Sequence, residues 1–208
     1  MKFVKIFFIF INFCFYFNYV SADNKAITPI DAIKKPIEQG ISVLRDAEYS
    51  KPEKKDAQRE KIWEIVRDIF DFREISMRTL ATDKDKFNET QKLEFIKEFT
   101  VLLKNAYVDK LQGEYHNEQV VFVEQVIEDN KALVKTKVIR EKVEIPIDYN
   151  MLLQGNTWKI YDIKVEGVSL IKNYRTQFKE FLVNKSPDKL IQTLKDKNIN
   201  RPKKLRNF

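Results

Sequence analysis

Residues 165–178, VEGVSLIKNYRTQF, hold the arrangement closest to an active-site motif: a strand-like run ends at a single glycine, and Ser169 opens a helix-like run after it. Hydrolases place nucleophiles at such strand-to-helix junctions, but acyl transfer also needs a base, commonly histidine. The only histidine, His116, lies in a polar EYHNE stretch, and EGVSL lacks the second glycine of a nucleophile elbow. Ser169 therefore reads as the N-cap of a helix that comes after a hinge glycine, and His116 as a solvated loop residue.

Other chemistries find still fewer residues. One histidine and one cysteine, Cys14, cannot build a zinc or iron site. DKDKFNE has some character of a calcium loop, but it lacks the glycine at the sixth position and puts Phe87 at a ligand position. Four glycines, at 40, 113, 155 and 167, leave no phosphate-cradling loop, and no spacing singles out a pair of catalytic carboxylates. The basic residues are scattered among acids, which argues against nucleic acid as a partner. The expectation is a protein without catalysis, cofactor or metal.

The elements that would position these residues can be read from periodicity. TPID at 28–31 starts a helix, with Thr28 as N-cap and Pro29 at its first position. A second helix runs on from Ala57, and Asp71 and Glu74 can cap a short third one. Asn88 and Gln91 form a capping box for a long helix in which Phe95, Phe99, Leu103 and Tyr107 recur every fourth residue. From Gln119 the period changes to two, giving four strands in VVFVEQVIE, KALVKTKVIR, VEIPIDYNML and NTWKIYDIKVE. Short connections imply an antiparallel meander that is apolar on one face. Helix returns over 168–184, and Ser186 with Pro187 opens a last one. The fold class is α+β, with helices packed on a four-stranded antiparallel sheet.

The first 22 residues stand apart. Lys2 and Lys5, the apolar run IFFIFINFCFYFNYV and the small residues of VSA have the layout of a secretory signal peptide cleaved before Asp23. The expected mature chain is one domain over 23–197, then a basic tail over 198–208 in which no structure is expected. It would hold no cysteine, so no disulfide braces it. Its charge would be +5, because two of the 38 Lys and Arg lie in the leader while all 31 Asp and Glu lie outside it. That mild excess suits an anionic membrane surface or an acidic partner. Nine Phe, six Tyr and two Trp remain for an ordinary core or for the walls of an apolar pocket.

FDFREISMRTLA, QKLEFIKEFTVLLKNAYVDKLQGEY and WKIYDIKVEGVSLIKNYRTQF resemble the MlaC family, periplasmic phospholipid-binding components of an ABC transport system, also described as toluene-tolerance auxiliary proteins. The resemblance spans about residues 30–197. It departs at Leu80-Ala81, where Leu-Gly would be expected, and Phe87 is the nearest aromatic to the one that usually comes next. It implies a curved sheet like that of the nuclear transport factor 2 class, with helices enclosing an apolar lipid cavity. It also implies a non-enzymatic, soluble carrier in the periplasm, helping to maintain outer-membrane lipid asymmetry. The implied partners are a phospholipid ligand, an inner-membrane ABC transporter with a mammalian-cell-entry domain subunit, and an outer-membrane lipoprotein and porin complex.

On that reading Phe95, Phe99, Leu103 and Tyr107 of the long helix line the pocket with Ile147, Tyr149, Tyr161, Ile163 and Val165 of the sheet. Leu170, Ile171, Tyr174 and Phe178 close it, and Lys172 and Arg175 face a head group or a partner. A periplasmic interaction module with a filled core and no lipid fits the same composition.

Overall fold

The structure, a computed structural model, describes residues 27–200, so the leader lies outside it. Six helices and five strands occur in the order α1 (Pro29–Arg45), α2 (Lys55–Ile69), α3 (Phe72–Leu80), α4 (Glu89–Glu114), β1 (Gln119–Glu128), β2 (Lys131–Arg140), β3 (Val143–Gln154), β4 (Thr157–Val165), β5 (Val168–Ser169), α5 (Leu170–Asn184) and α6 (Pro187–Ile199). The sheet is an open antiparallel meander in the order β1-β2-β3-β4-β5. The expected four strands are present. β5, a fifth, takes two residues assigned from sequence to the next helix, and α6 runs to Ile199, two residues into the expected tail; residues 201–208 lie outside the described ones.

The helix starts obey their capping residues. Thr28 Oγ1 accepts from the Asp31 amide at 3.2 Å and donates to the Asp31 carboxylate at 2.7 Å. Asn88 and Gln91 form the reciprocal capping box, at 2.9 and 3.0 Å. Asp71 accepts from the Glu74 amide at 2.9 Å. Each such bond satisfies a first-turn amide that the helix itself leaves open.

Two apolar clusters hold the molecule together. In the first, Ile33 of α1 packs against Ala132, Val134, Tyr149, Met151, Trp158 and Ile160, which form the inner face of the sheet. The outer face carries the ion pairs Glu124–Lys135 and Lys137–Glu144. The second cluster lies among α3, α4, α5 and α6 and is built on Phe95, Phe99, Phe178, Leu182, Leu190 and Leu194. Phe70 touches both. Its extended segment bridges to Ile160, where the Asp71 amide donates to the Ile160 carbonyl at 2.9 Å. An ion pair also ties α2 to α4: Arg59 Nε donates to Asp109 Oδ1 at 2.8 Å, with both side chains nearly buried.

The departure at Leu80-Ala81 has a structural consequence. Ala81 ends α3 with φ 50° and ψ −122°, a conformation in which a Cβ is strained and glycine is not. That strain costs on the order of 1–3 kcal/mol, and glycine's extra freedom when unfolded gives back about 0.5–1. Ala81→Gly should therefore stabilise the protein by about 1 kcal/mol and raise the melting temperature by roughly 2–4 °C. A lower melting temperature would show that the turn is not under strain.

Candidate functional site

Each residue expected at a pocket has a definite place, but they do not share one surface. Phe95, Phe99, Leu103, Ile171 and Phe178 are buried in the helical cluster, with Tyr161, Leu170 and Tyr174 packed against it. Ile147, Tyr149 and Ile163 belong to the sheet cluster. Tyr107 and Val165 are each 41% exposed.

A bulge accounts for the split along β4. Met151 pairs with Ile160 and Asn150 with Asp162, so Tyr161 is an extra residue opposite no partner. Before the bulge Trp158 and Ile160 face inward; after it Ile163 and Val165 do. Strict alternation puts Tyr161, Ile163 and Val165 together and leaves Trp158 and Ile160 out. The inserted residue sends Tyr161 to the helical cluster instead, where the Arg78 guanidinium stacks 4.2 Å from its ring centre.

The helical cluster is dense. Phe99 lies 5.5 Å from Phe95, 4.9 Å from Tyr174 and 5.1 Å from Phe178, mostly edge to face, the geometry aromatic quadrupoles favour. At its margin the Tyr107 and Tyr174 phenols interact with each other. Burial pushes both phenols upward, so both are neutral at ordinary pH. Burial does the same to Tyr149.

The Gly167–Ser169 junction is fully engaged in holding α5. Ser169 Oγ accepts from the Lys172 amide at 3.1 Å and donates to Asp162 Oδ2 at 2.7 Å. Asp162 Oδ1 accepts from the Ile171 amide at 3.0 Å. A buried carboxylate thus sits at the positive end of a helix with both oxygens occupied. Ser169 is the expected N-cap; Asp162 was not legible, because nothing in the sequence marks its carboxylate as lying beneath a helix that begins at Leu170. Asp162→Asn should cost about 1–2 kcal/mol, since both charge-assisted bonds become neutral and the Ser169 hydroxyl must turn to accept from the new amide. Denaturant melts would measure it, and an unchanged midpoint would mean that the cap does not depend on the charge.

Arg175 donates through Nε at 3.0 Å and Nη2 at 2.7 Å to the Arg78 carbonyl, capping the end of α3, while Lys172 is exposed. Lys172 lines an open hollow of about 360 Å³ with Gly167, Val168, Ser169, Asn173, Thr176 and Gln177. Val168 is its one large apolar side chain, so the hollow itself cannot enclose an acyl chain.

The inner sheet face offers more. Phe122, Thr136, Ile147, Val165 and Val168 pair in succession across all five strands and therefore share one face. Val120, Val138 and Ile145 form the next row across three. Most of these apolar side chains point inward yet are only half-buried, in contrast to Val134, Met151 and Ile160 under α1. Val120, Phe122, Val138, Ile145 and Val168 were not among the expected lining residues, although the period-two pattern contained all of them but Val168, which was assigned to the next helix. Among the described residues no group of three or more His, Cys, Asp or Glu could hold a metal ion, and no helix is long and apolar enough to cross a membrane.

No curated protein matches the sequence. The fold is similar to the crystal structure of a phospholipid-binding protein from Ralstonia solanacearum in complex with a phospholipid, with a TM-score of 0.69. The match covers 81% of this chain and 95% of that one at 19% identity, a likeness of fold. The family model described as MlaC protein matches residues 34–196, nearly all of the described fold, and the chain therefore belongs to the MlaC family.

Proposed function

We propose that this protein is a soluble phospholipid carrier that holds acyl chains between the inner sheet face and the helices. Its family supports a lipid ligand. The observation that carries the reading is the half of the inner face that α1 leaves open, with Val120, Val138, Ile145 and Ile147 in two adjoining apolar rows. Exposed apolar surface of this extent is costly unless a ligand covers it. Ile147, Ile163 and Val165 offer the sheet wall, and Leu170, Tyr174 and Tyr107 the helical side. Phe95, Phe99, Leu103, Ile171 and Phe178 are the packed layer that supports that side.

A carrier answers a definite energetic need. Each methylene moved into water costs about 0.8 kcal/mol, so an acyl chain of about 15 costs on the order of 12 kcal/mol. The protein need only match the enclosure of a bilayer and leave the head group hydrated. No covalent step is required, in keeping with a Ser169 whose hydroxyl is spent on a cap. The leader would place the carrier in the periplasm. There it would exchange lipid between an outer-membrane lipoprotein complex and an inner-membrane ABC transporter, maintaining outer-membrane lipid asymmetry.

Mass spectrometry of the natively purified protein tests this directly. The expected result is a protein mass raised by one phospholipid, which organic solvent releases. A bare mass under gentle conditions would leave the filled-core interaction module as the better reading.

A further inference from the structure

We propose that acyl chains enter and leave over the β4–β5 corner, with Val165 and Val168 as the threshold. The hollow beside them would seat the hydrated head group. This rests on the carrier reading and adds to it a route, a direction of approach and a place for the polar end of the lipid.

The five-strand row sets the route. Along it Phe122 and Ile147 are half-buried against the sheet cluster, Val165 is 41% exposed and Val168 66% exposed. Buried Thr136 separates Phe122 from Ile147 in this row, but from Ile147 apolar surface runs without a break to the solvent at β5. The end of the inner face beneath α1 is closed. Toward the β1–β2 and β3–β4 turns, Ala132, Met151 and Trp158 are buried with Ile33 above them. At the β1 side the Ile30 amide of α1 donates to Gln125 Oε1 at 2.9 Å, so the start of that helix is fastened to the strand. A chain sliding along the apolar rows meets packed side chains toward those turns, whereas Val165 and Val168 leave the β4–β5 corner open.

The corner is built for exposure. β5 is two residues long, and Glu166 and Gly167, with φ of 50° and 80°, turn the chain back on itself tightly. Val168 belongs both to the apolar row and to the hollow, so the two surfaces meet at one side chain. Past it the lining becomes polar, with Lys172, Asn173, Thr176 and Gln177, of which Thr176 and Gln177 donate within α5 and Lys172 is exposed to meet a hydrated phosphate. Lys172 is the only charged group in that lining, and its sign suits a phosphodiester.

The test measures uptake of a pyrene-labelled phosphatidylglycerol from donor vesicles into delipidated protein. Val165→Asp with Val168→Asp should slow uptake at least tenfold. Val183→Asp, 69% exposed on the far part of α5, should stay within twofold of the parent. Lys172→Glu should slow uptake about threefold at low salt and not at high salt, as screening removes an exposed charge. If the aspartates lower the melting temperature, Val165→Thr with Val168→Thr keeps the shape and should still slow uptake severalfold. Uptake by the folded corner variant at the parental rate would overturn the route. Equal effects of Lys172→Glu at both salts would overturn the head-group seat. A parent protein that takes up no labelled lipid would instead overturn the carrier reading beneath both.

Discussion

Phe99→Ala should destabilise the protein by about 4 kcal/mol, lowering the melting temperature by roughly 8–16 °C. The ring is fully buried and lies within 5.5 Å of Phe95, Tyr174 and Phe178, so truncation empties the middle of a close-packed cluster. Three helices meet there: α4 supplies Phe95 and Phe99, α5 supplies Tyr174 and Phe178, and Leu190, Ile191 and Leu194 of α6 join the same cluster. Their aromatic neighbours cannot swing into the void without giving up their own ring contacts. Phe99→Leu retains most of the volume and should cost about 1.5 kcal/mol. Urea unfolding at matched lipid content would measure both. A loss below about 1.5 kcal/mol for the alanine variant would mean that Phe99 borders ligand space, because a wall residue leaves little new cavity when truncated. The same experiment therefore separates packed core from pocket wall at the residue where the sequence offered no distinction.

What the sequence made legible was local. Thr28, Asn88, Gln91, Ser169 and Ser186 start their helices as their chemistry requires, and the period-two runs form a meander in chain order. Such features depend on a few adjacent residues and survive in any tertiary setting. The site depended on longer relations. One extra residue in β4 reverses the inward phase, and no composition signal marks Tyr161 as that residue. Phe99 and Ile147 are both apolar residues at correct spacing, yet one lies in the helical cluster and the other against the sheet. Periodicity assigns a side chain to a face, but not to the layer that the face meets. Ala81 shows the reverse case: its departure from the expected glycine was visible in the sequence, and its positive φ gave that departure a physical cost.

The two clusters also suggest how one small domain can be stable and still receive a ligand. Helices α3 to α6 fill their shared interior without help from the sheet's inner rows. α1 covers the end of the sheet that carries Met151, Trp158 and Ile160. Phe70 and the Arg59–Asp109 pair join the parts at discrete points, and Val120, Val138 and Ile145 of the sheet stay outside both clusters. Stability is thus concentrated in regions that need not rearrange when lipid comes or goes.

Ile145→Glu should abolish co-purifying phospholipid while leaving the protein folded. Ile145, near the start of β3, pairs with Val138 at the end of the open apolar row, half-buried and outside both packed clusters. A carboxylate there can reach water in the empty protein, so folding loses about 1 kcal/mol or less. With lipid bound, the same carboxylate would lie against acyl chain without a partner, at a cost of several kcal/mol. The substitution thus separates binding from folding. The comparison must be made against delipidated parent, because a ligand that binds only the native state raises the apparent stability of the parent. Leu194→Arg, by contrast, places a cation inside the helical cluster and should lower the melting temperature of the empty protein severely. Two outcomes would reject the open row as the lipid site: an Ile145→Glu protein that retains the parental lipid, or one that unfolds as Leu194→Arg does. The first would put the acyl chains elsewhere, and the second would show that the open row is core in solution.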